Sequence, residues 1–581
     1  MTTAPPDPTT RAESEAATPA TPAADSPAPM TPREIITALS GLMMGMLVAI
    51  LSSTVVSTSL PRIIADLGGG QSSYTWVVTA TLLAMTVSTP VWGKLADIFD
   101  RKLLLQLSLG LFTIGSVLAA FSQSAGQLIA CRGVQGLGVG GLMSLAIIVI
   151  SDIISPRERG KYMGVLGGVM SIGTIGGPLL GGLVTDAIGW RANFFLVVPL
   201  SLGALLVIQK TLHLPKRART GDVRLDYLGA FLVTAAVSTL LIWVTLAGSS
   251  FDWASVTSYV MVGGSILAAV LFVLVERKAH SPLLPMWLFR NRTVVLTIIA
   301  SIAVGVAMFG TTVFLSQYMQ LARGETPTTS GLLTLPMVLG SVVSSIVIGQ
   351  LISRTGVWKR YMVTGTLFLT VGLALMGTIH YDTPFWHLVI FMAIVGIGIG
   401  AVMQNLMLVT QNVLPVTEMG AGSSSVTFFR SLGGAVGVSA MGALLGSQAS
   451  SRITDGLLSL GVPASAMGSG GSGQIPDLSE LPGPVRLVVE QSYGEAVAHV
   501  FLAAVPLAIV AFIAVALLPN LPLGTKTGIE QMAEERALAE GATEPEPETG
   551  PAARGSETAA AVDDPHEPGA HKAESVGTHR R

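Results

Sequence analysis

From about residue 36 to residue 519 the chain repeats one pattern, an apolar run of about twenty residues followed by a short polar turn. Runs of that length cross the hydrocarbon core of a bilayer as helices. The pattern predicts fourteen spans, at 36–64, 74–96, 103–121, 127–152, 162–185, 192–212, 226–248, 254–275, 294–320, 329–352, 360–379, 385–412, 421–446 and 496–519. Several are long enough to imply tilt or extension beyond the bilayer. Gly, Ser and Thr recur inside them, and such residues let helices approach closely in lipid. Residues 1–32 and 521–581 contain no such run and read as disordered tails. The first has no basic start followed by an apolar core, so it does not read as a signal peptide.

Composition agrees. Half of the 581 residues are hydrophobic and 12% are charged, about half the ~25% charge usual in soluble domains. The mean hydropathy is +0.64. A soluble enzyme, a disordered chain and a nucleic-acid binder are excluded. One Cys cannot build a disulfide framework or a thiolate cluster within one chain. There is no zinc-type His/Cys spacing and no phosphate-binding Gly-x-x-x-x-Gly-Lys-Ser/Thr loop, so no cofactor is expected and ATP is not the direct energy source. The net charge of −2 says nothing about partners.

Lys and Arg set the orientation. With the N-terminus inside, one set of loops holds eighteen of them and the other holds Arg62, Arg191, Arg323, Arg452 and Arg486. That bias predicts a multi-pass protein of the cytoplasmic membrane with both termini cytoplasmic. The segment after the second span, Gly93 to Lys102, and the one after the tenth, Gly349 to Arg360, are both short basic turns between apolar helices. Such weak repetition suggests two halves. The expected organisation is a six-helix bundle at 33–212, a two-helix insert with flanking loops at 213–290 and a second six-helix bundle at 291–520. An extracytoplasmic loop is expected at 447–495, with an interfacial helix from Pro484 to Ala498.

The most informative stretch is Gly173-Thr174-Ile175-Gly176-Gly177-Pro178-Leu179-Leu180-Gly181-Gly182 in the fifth span. Glycines four apart allow close backbone contact, and Pro178 removes a helix hydrogen bond and favours a kink. Ordinary close packing explains this equally well. The stretch resembles the antiporter motif of the major facilitator superfamily, Gly-x-x-x-Gly-Pro-x-x-Gly-Gly, in full. Gly93-Lys94-Leu95-Ala96-Asp97 with Arg101 and Lys102 is similar to the superfamily's loop motif. Arg132-Gly133-Val134-Gln135-Gly136 is similar to its fourth-span motif, and Trp190-Arg191 with Phe194 and Pro199 to its sixth-span entry. Thr427 to Gly434 resembles a late span of the fourteen-span drug:proton antiporter family. The resemblance covers roughly residues 35–520. It implies an all-helical membrane fold of two six-helix bundles plus two inserted helices.

Departures from the family pattern are informative too. Ser52 and Ser57 stand where the first span usually carries Asp and Asn. Ile98, Asp100 and Val197 replace the usual Arg, Gly and Asn. The protonatable carboxylate of the first span is therefore missing, which leaves protons on Asp66, a water chain near Arg132, or a different coupled ion as alternatives.

An ionisable group inside the bilayer is a functional hypothesis by default, since an Arg at a helix centre costs ~2.5–3.5 kcal/mol on insertion scales. Two are clearly deep: Arg132, about six residues or ~9 Å from the outer end of its span, and Arg430, near mid-depth. Each is either a functional anchor or a brace between helices. The resemblance makes Arg132 the anchor of proton coupling and Asp97 a conformational latch against Arg101 and Lys102. Asp66 is the outer-side candidate for accepting a proton. Glu276 and the other carboxylates fall near span ends, where capping or hydration is expected. His387 and His499 also lie near span ends. Gln135, Gln317, Gln320, Gln404 and Asn405, with Trp76, Phe428, Phe429 and Arg430, are the candidates to line a substrate cavity. The 23 Met suit adaptable packing in a cavity or core.

The expected activity is not enzymatic. It is secondary export of small, largely apolar compounds, including drugs and antibiotics, in exchange for protons. Two rivals stand: a dedicated exporter of one endogenous metabolite or self-made antibiotic, and a non-transporting membrane assembly factor.

Overall fold

A computed structural model describes residues 32–153, 156–212, 226–247, 251–279, 282–415, 419–461 and 481–521. Within them the structure is helical, with one isolated bridge between Ala247 and Phe251. The helices are α1 (Pro32–Asp66), α2 (Gln71–Ile98), α3 (Arg101–Ala120), α4 (Ala125–Ile153), α5 (Pro156–Ala187), α6 (Arg191–Thr211), α7 (Tyr227–Leu246) and α8 (Val256–Glu276). After a short turn at Met286–Arg290 come α9 (Arg292–Gln317), α10 (Pro327–Leu333), α11 (Leu335–Thr355), α12 (Lys359–Met376), α13 (Phe385–Asn412), α14 (Met419–Ser459) and α15 (Gly483–Ala516). Helix is the form that satisfies every amide within its own segment, as hydrocarbon requires.

With α10 and α11 counted as one segment, the helices follow the expected runs. Twelve segments are long and apolar enough to cross a membrane. The other two are α5, which opens on Arg157, Glu158, Arg159 and Lys161, and α12, 18 residues beginning Lys359-Arg360.

Two expectations need correction. The loop placed at 447–495 is largely helical: α14 runs on to Ser459 and α15 starts at Gly483, while 462–480 lies outside the described residues. The ninth helix does not end plainly at 320 either. It gives way at Tyr318–Ala322 to a wider π-type turn, a form often found at functional sites. The tails at 1–32 and 521–581 lie almost wholly outside the described residues.

One departure from the family pattern has a local cause. Asp100 takes the place of a glycine and caps α3, its Oδ1 accepting from the Lys102 amide at 2.8 Å and the Leu103 amide at 3.3 Å. An N-cap carboxylate satisfies amides that the first turn leaves open.

The helices form two groups with the same internal pairing. In the first, α1 packs on α5 and α6, α2 on α4, and α3 on α4 and α6. In the second, α9 packs on α14 and α15, α11 on α13, and α12 on α13 and α15. The groups meet where α2 faces α14, α5 faces α10 and α1 faces α9. The remaining pair, α7 and α8, pack on each other, and α7 reaches α2 and α14.

Glycines explain why the pairing repeats. On α4, a Cβ at Gly140 would lie 2.7 Å from the Met85 carbonyl of α2, and one at Gly138 would lie 2.6 Å from the Phe112 nitrogen of α3. On α13, a Cβ at Gly400 would lie 2.7 Å from the Ser341 carbonyl carbon of α11, and one at Gly398 would lie 2.5 Å from the Leu369 nitrogen of α12. Two Gly-x-Gly-x-Gly runs, 136–140 and 396–400, thus seat equivalent helices in the two halves.

Leu placed at Gly138 or Gly398 must push backbones apart, and overpacking of this kind costs about 1–3 kcal/mol or more. Gly110 of α3 has nothing within 4 Å of its Cβ position. Gly138→Leu and Gly398→Leu are expected to lower the unfolding midpoint of the detergent-purified protein by several degrees or abolish its monodisperse peak. Gly110→Leu is expected to leave both close to the parent protein.

Candidate functional site

The glycine motif of α5 uses two faces. Gly173, Gly177 and Gly181 lie against α1. A Cβ at Gly181 would sit 2.8 Å from the Val55 Cα, and one at Gly177 would collide with the Thr54 side chain. Thr54 Oγ1 donates to the Gly173 carbonyl at 3.2 Å and Ser59 Oγ to the Gly181 carbonyl at 3.2 Å. On the other face, a Cβ at Gly182 would lie 2.6 Å from the Pro327 carbonyl, and one at Gly331 of α10 would lie 2.7 Å from the Pro178 carbonyl carbon. The motif therefore packs within its own half through one face and against the other half through the next.

Beside it lies a polar cluster. Asn193 Nδ2 donates to Ser59 Oγ and to Thr185 Oγ1, both at 2.7 Å, and those two hydroxyls are 2.6 Å apart. All three residues are buried, and Asn193 Oδ1 has no partner among the described residues. The family pattern directs attention to Val197, but the amide sits one turn earlier. An Asn within an apolar run was the available signal.

The two halves are joined at the end of the bundle that carries the α1–α2 and α5–α6 turns. Gln320 Nε2 donates to the Thr58 carbonyl at 2.6 Å, and Ser316 Oγ donates to the same carbonyl at 3.3 Å. Gln71 and Gln317 exchange amide hydrogen bonds, one at 3.3 Å. The Tyr74 hydroxyl donates to the Val313 carbonyl at 2.8 Å, and Thr79 and Ser439 meet at 3.0 Å. Asp186 Oδ2 accepts from the Thr328 amide at 3.1 Å and from its hydroxyl, capping the start of α10. The sequence reading picked out Gln317 and Gln320 but not Gln71, Tyr74, Thr79 or Ser439. Their types are common in membrane helices, and only the packing shows what they face.

The other expected residues are dispersed. Arg132 is buried, its Nη1 donating to Gln135 Oε1 at 2.8 Å, while Gln135 Nε2 donates to Ser116 Oγ at 2.6 Å. Both functions of the Gln135 amide are thus engaged between α3 and α4. Arg132 Nε has no partner among the described residues. Asp66 is half-exposed and held by Trp190 Nε1 at 2.8 Å and Arg191 Nη1 at 3.3 Å, with that guanidinium 4.1 Å above the Trp190 ring. Lys102 Nζ donates to the Gln209 carbonyl at 2.7 Å, tying α3 to the C-terminal end of α6. Arg101 opens α3. Asp97 lies on α2, and its side chain is outside the described residues.

Trp76 is half-buried and Gln404 exposed. Asn405 is buried and donates back to the Ala401 carbonyl at 2.7 Å. Phe428 is buried edge-on to Phe429, which meets Phe289 in the same way. Arg430 is half-buried on α14. Of the capping and hydration expected for Glu276, the structure shows the cap: the residue is 3% exposed, and its carboxylate accepts from the Leu283 amide at 3.1 Å and the Leu284 amide at 3.3 Å. It closes the turn after α8.

Comparison with known proteins agrees with this architecture. The family model described as Major Facilitator Superfamily matches residues 42–438. An uncharacterized MFS-type transporter of Mycobacterium tuberculosis is 35% identical over 83% of this chain and 69% of its own length. Multidrug transporter protein MdtP of Bacillus subtilis is 34% identical over 72% of this chain and 77% of its own. Multidrug resistance protein 3 of Bacillus subtilis is 31% identical, covering 76% and 85%. Among solved structures, a bacterial homolog of the human lysosomal transporter Spinster, inward-facing and unoccupied, superposes with a TM-score of 0.58 at 14% identity. That alignment covers 86% of this chain and all of the other, and it speaks for the fold alone.

Removing one amide of the Gln71–Gln317 pair strands its partner, which costs about 1–3 kcal/mol, whereas removing both strands nothing. Gln71→Leu and Gln317→Leu are each expected to lower the unfolding midpoint of the purified protein. The double variant is expected to lie above the sum of the two losses. Strict additivity would show that the pair is not coupled.

Proposed function

The chain belongs to the Major Facilitator Superfamily, a family of membrane transporters rather than enzymes, and we propose that it exports small, largely apolar compounds across the cytoplasmic membrane in exchange for protons. The observation that carries this reading is the position of the α5 motif. Its glycines seat α5 on α1 within one half and on α10 of the other, at the end where the halves are joined. A helix shared in this way is where rocking of one half against the other opens or closes a central passage. The Bacillus relatives named as a multidrug transporter and a multidrug resistance protein support the breadth of transport.

The excess of Lys and Arg in alternate turns supports a joined end that faces outside and termini that lie inside. The moving bodies are residues 33–212 and 291–520, with 213–290 as an insert and fourteen spans in total. Asp97 and Arg101 latch the cytoplasmic side when the passage turns outward. Lys102 stays with α6. Protons pass near Arg132, the charged group enclosed in the first half. One elementary charge moved across 100 mV is worth ~2.3 kcal/mol, enough to sustain a concentration ratio of about fiftyfold.

Thr79→Cys with Ser439→Cys, in a Cys131→Ser background, tests the mechanism. Oxidation is expected to lock the joined end and stop movement of a fluorescent drug in proteoliposomes, with a reductant restoring it. An imposed pH gradient is expected to drive that movement, and Arg132→Met to abolish the gradient's effect in protein that still folds. Undiminished transport by the cross-linked protein would contradict alternating access. Transport indifferent to pH would contradict proton exchange.

A further inference from the structure

Six residues or more from the helix ends, the charged side chains of this chain are few: Arg132, Arg430, Arg452, Glu490 and Glu495. The last three belong to the extensions of α14 and α15. Arg452 is paired with Glu495, and Glu490 with Arg486 at 2.7 Å. That leaves two guanidinium groups and no carboxylate in the body of the bundle. At the first-span position where the resemblance leads one to expect a carboxylate, Ser52 is buried and its hydroxyl has no partner among the described residues.

The two arginines differ. Arg132 is enclosed and occupied by Gln135. Arg430 keeps a part of its surface open, and among the described residues its guanidinium has no hydrogen-bond or ion-pair partner. Its backbone sits at the middle of α9, where a Cβ at Gly305 would lie 3.0 Å from the Arg430 carbonyl carbon. A brace between helices would show an acceptor from a neighbouring helix, and none is there among the described residues. A guanidinium at mid-depth is costly unless it faces water or a partner. Five N–H donors in a planar fork match a carboxylate, sulfonate or phosphate. Phe429, its half-buried neighbour on α14, packs with Phe428 and Phe289 to give an aromatic surface nearby.

Resting on the export reading above, we propose that the transported compounds are organic anions with an apolar or aromatic body, and that Arg430 receives their negative group. Two guanidinium groups at depth, with the buried carboxylate of Glu276 confined to the last residue of α8, disfavour lipophilic cations there. They concentrate anions by the same field.

Binding and movement are measured separately on the purified full-length chain. The anions are 1-naphthalenesulfonate and fluorescein, and the cations are ethidium and tetraphenylphosphonium. Binding is read by calorimetry in detergent. At least one anion is expected to bind at least tenfold more tightly than either cation. Arg430→Gln is expected to weaken that binding about tenfold or more, and Arg430→Lys to recover part of it. Gel filtration establishes that each variant is folded. Tighter binding of the cations, absence of anion binding by the parent protein, or an Arg430→Gln protein that binds anions as the parent does would each overturn the assignment. Movement in proteoliposomes under a pH gradient distinguishes the two readings. Anion binding that depends on Arg430 without gradient-driven movement upholds the anion site and overturns the exchange reading. Gradient-driven movement of cations alone upholds the exchange and overturns the anion site.

Discussion

A bilayer offers no water to an unpaired amide and little hydrophobic drive to bring one helix against another. Helices in lipid associate through close contact and through the few polar groups they can share. This chain uses both means inside each half and between the halves. Inside each half, glycines on α4 and α13 let neighbouring backbones come into contact, and α5 does the same against α1. Between the halves the contacts are largely hydroxyls and amides: Gln71 with Gln317, Thr79 with Ser439, and Gln320 and Ser316 on the Thr58 carbonyl. Hydrogen bonds of that kind contribute about 0.5–1.5 kcal/mol each. A few of them hold a seam that can also be released, since each costs little to part.

Charge is distributed to suit that division. The ion pairs Arg191–Asp66, Arg452–Glu495 and Arg486–Glu490 each lie within one half. Lys102 stays with the end of α6. Across the seam, Asp186 bonds to the neutral Thr328 rather than to a cation. Parting such a contact does not strand an opposite charge in lipid, a loss far larger than that of a neutral hydrogen bond. The glycine face of α5 against α10 completes the seam, because a bare backbone there leaves no side chains to disengage.

Much of this was legible in the sequence. Apolar run length located the helices because in lipid that length is set by the bilayer and not by tertiary packing. The α5 motif was legible through its match to the superfamily pattern, since glycines four apart fit ordinary close packing equally well. The boundaries failed where helices leave the membrane, as at α14 and α15, since water-exposed helix carries no apolar run. Residues chosen for polarity alone fared less well. Gln135 proved to be engaged with Arg132 and Ser116, and Gln317 and Gln320 with the seam, because an amide inside a span takes whatever partner the packing supplies. Asn193 and Gln71 were passed over for the same reason. The repeat at 136–140 and 396–400 was visible as letters, but its meaning required knowing which backbone each glycine meets.

The central claim is that the end joined by Gln71, Tyr74, Thr79 and Asp186 opens as one unit while each half stays intact. Phe121, at the end of α3, and Leu460, just past α14, are exposed and lie in different halves. Spin labels on Phe121→Cys and Leu460→Cys, in a Cys131→Ser background, report their separation by pulsed electron resonance. The account requires two distance populations, with the longer one rising as pH or transported compound is varied and an in-half control pair unchanged. A single distance that no condition moves would contradict it.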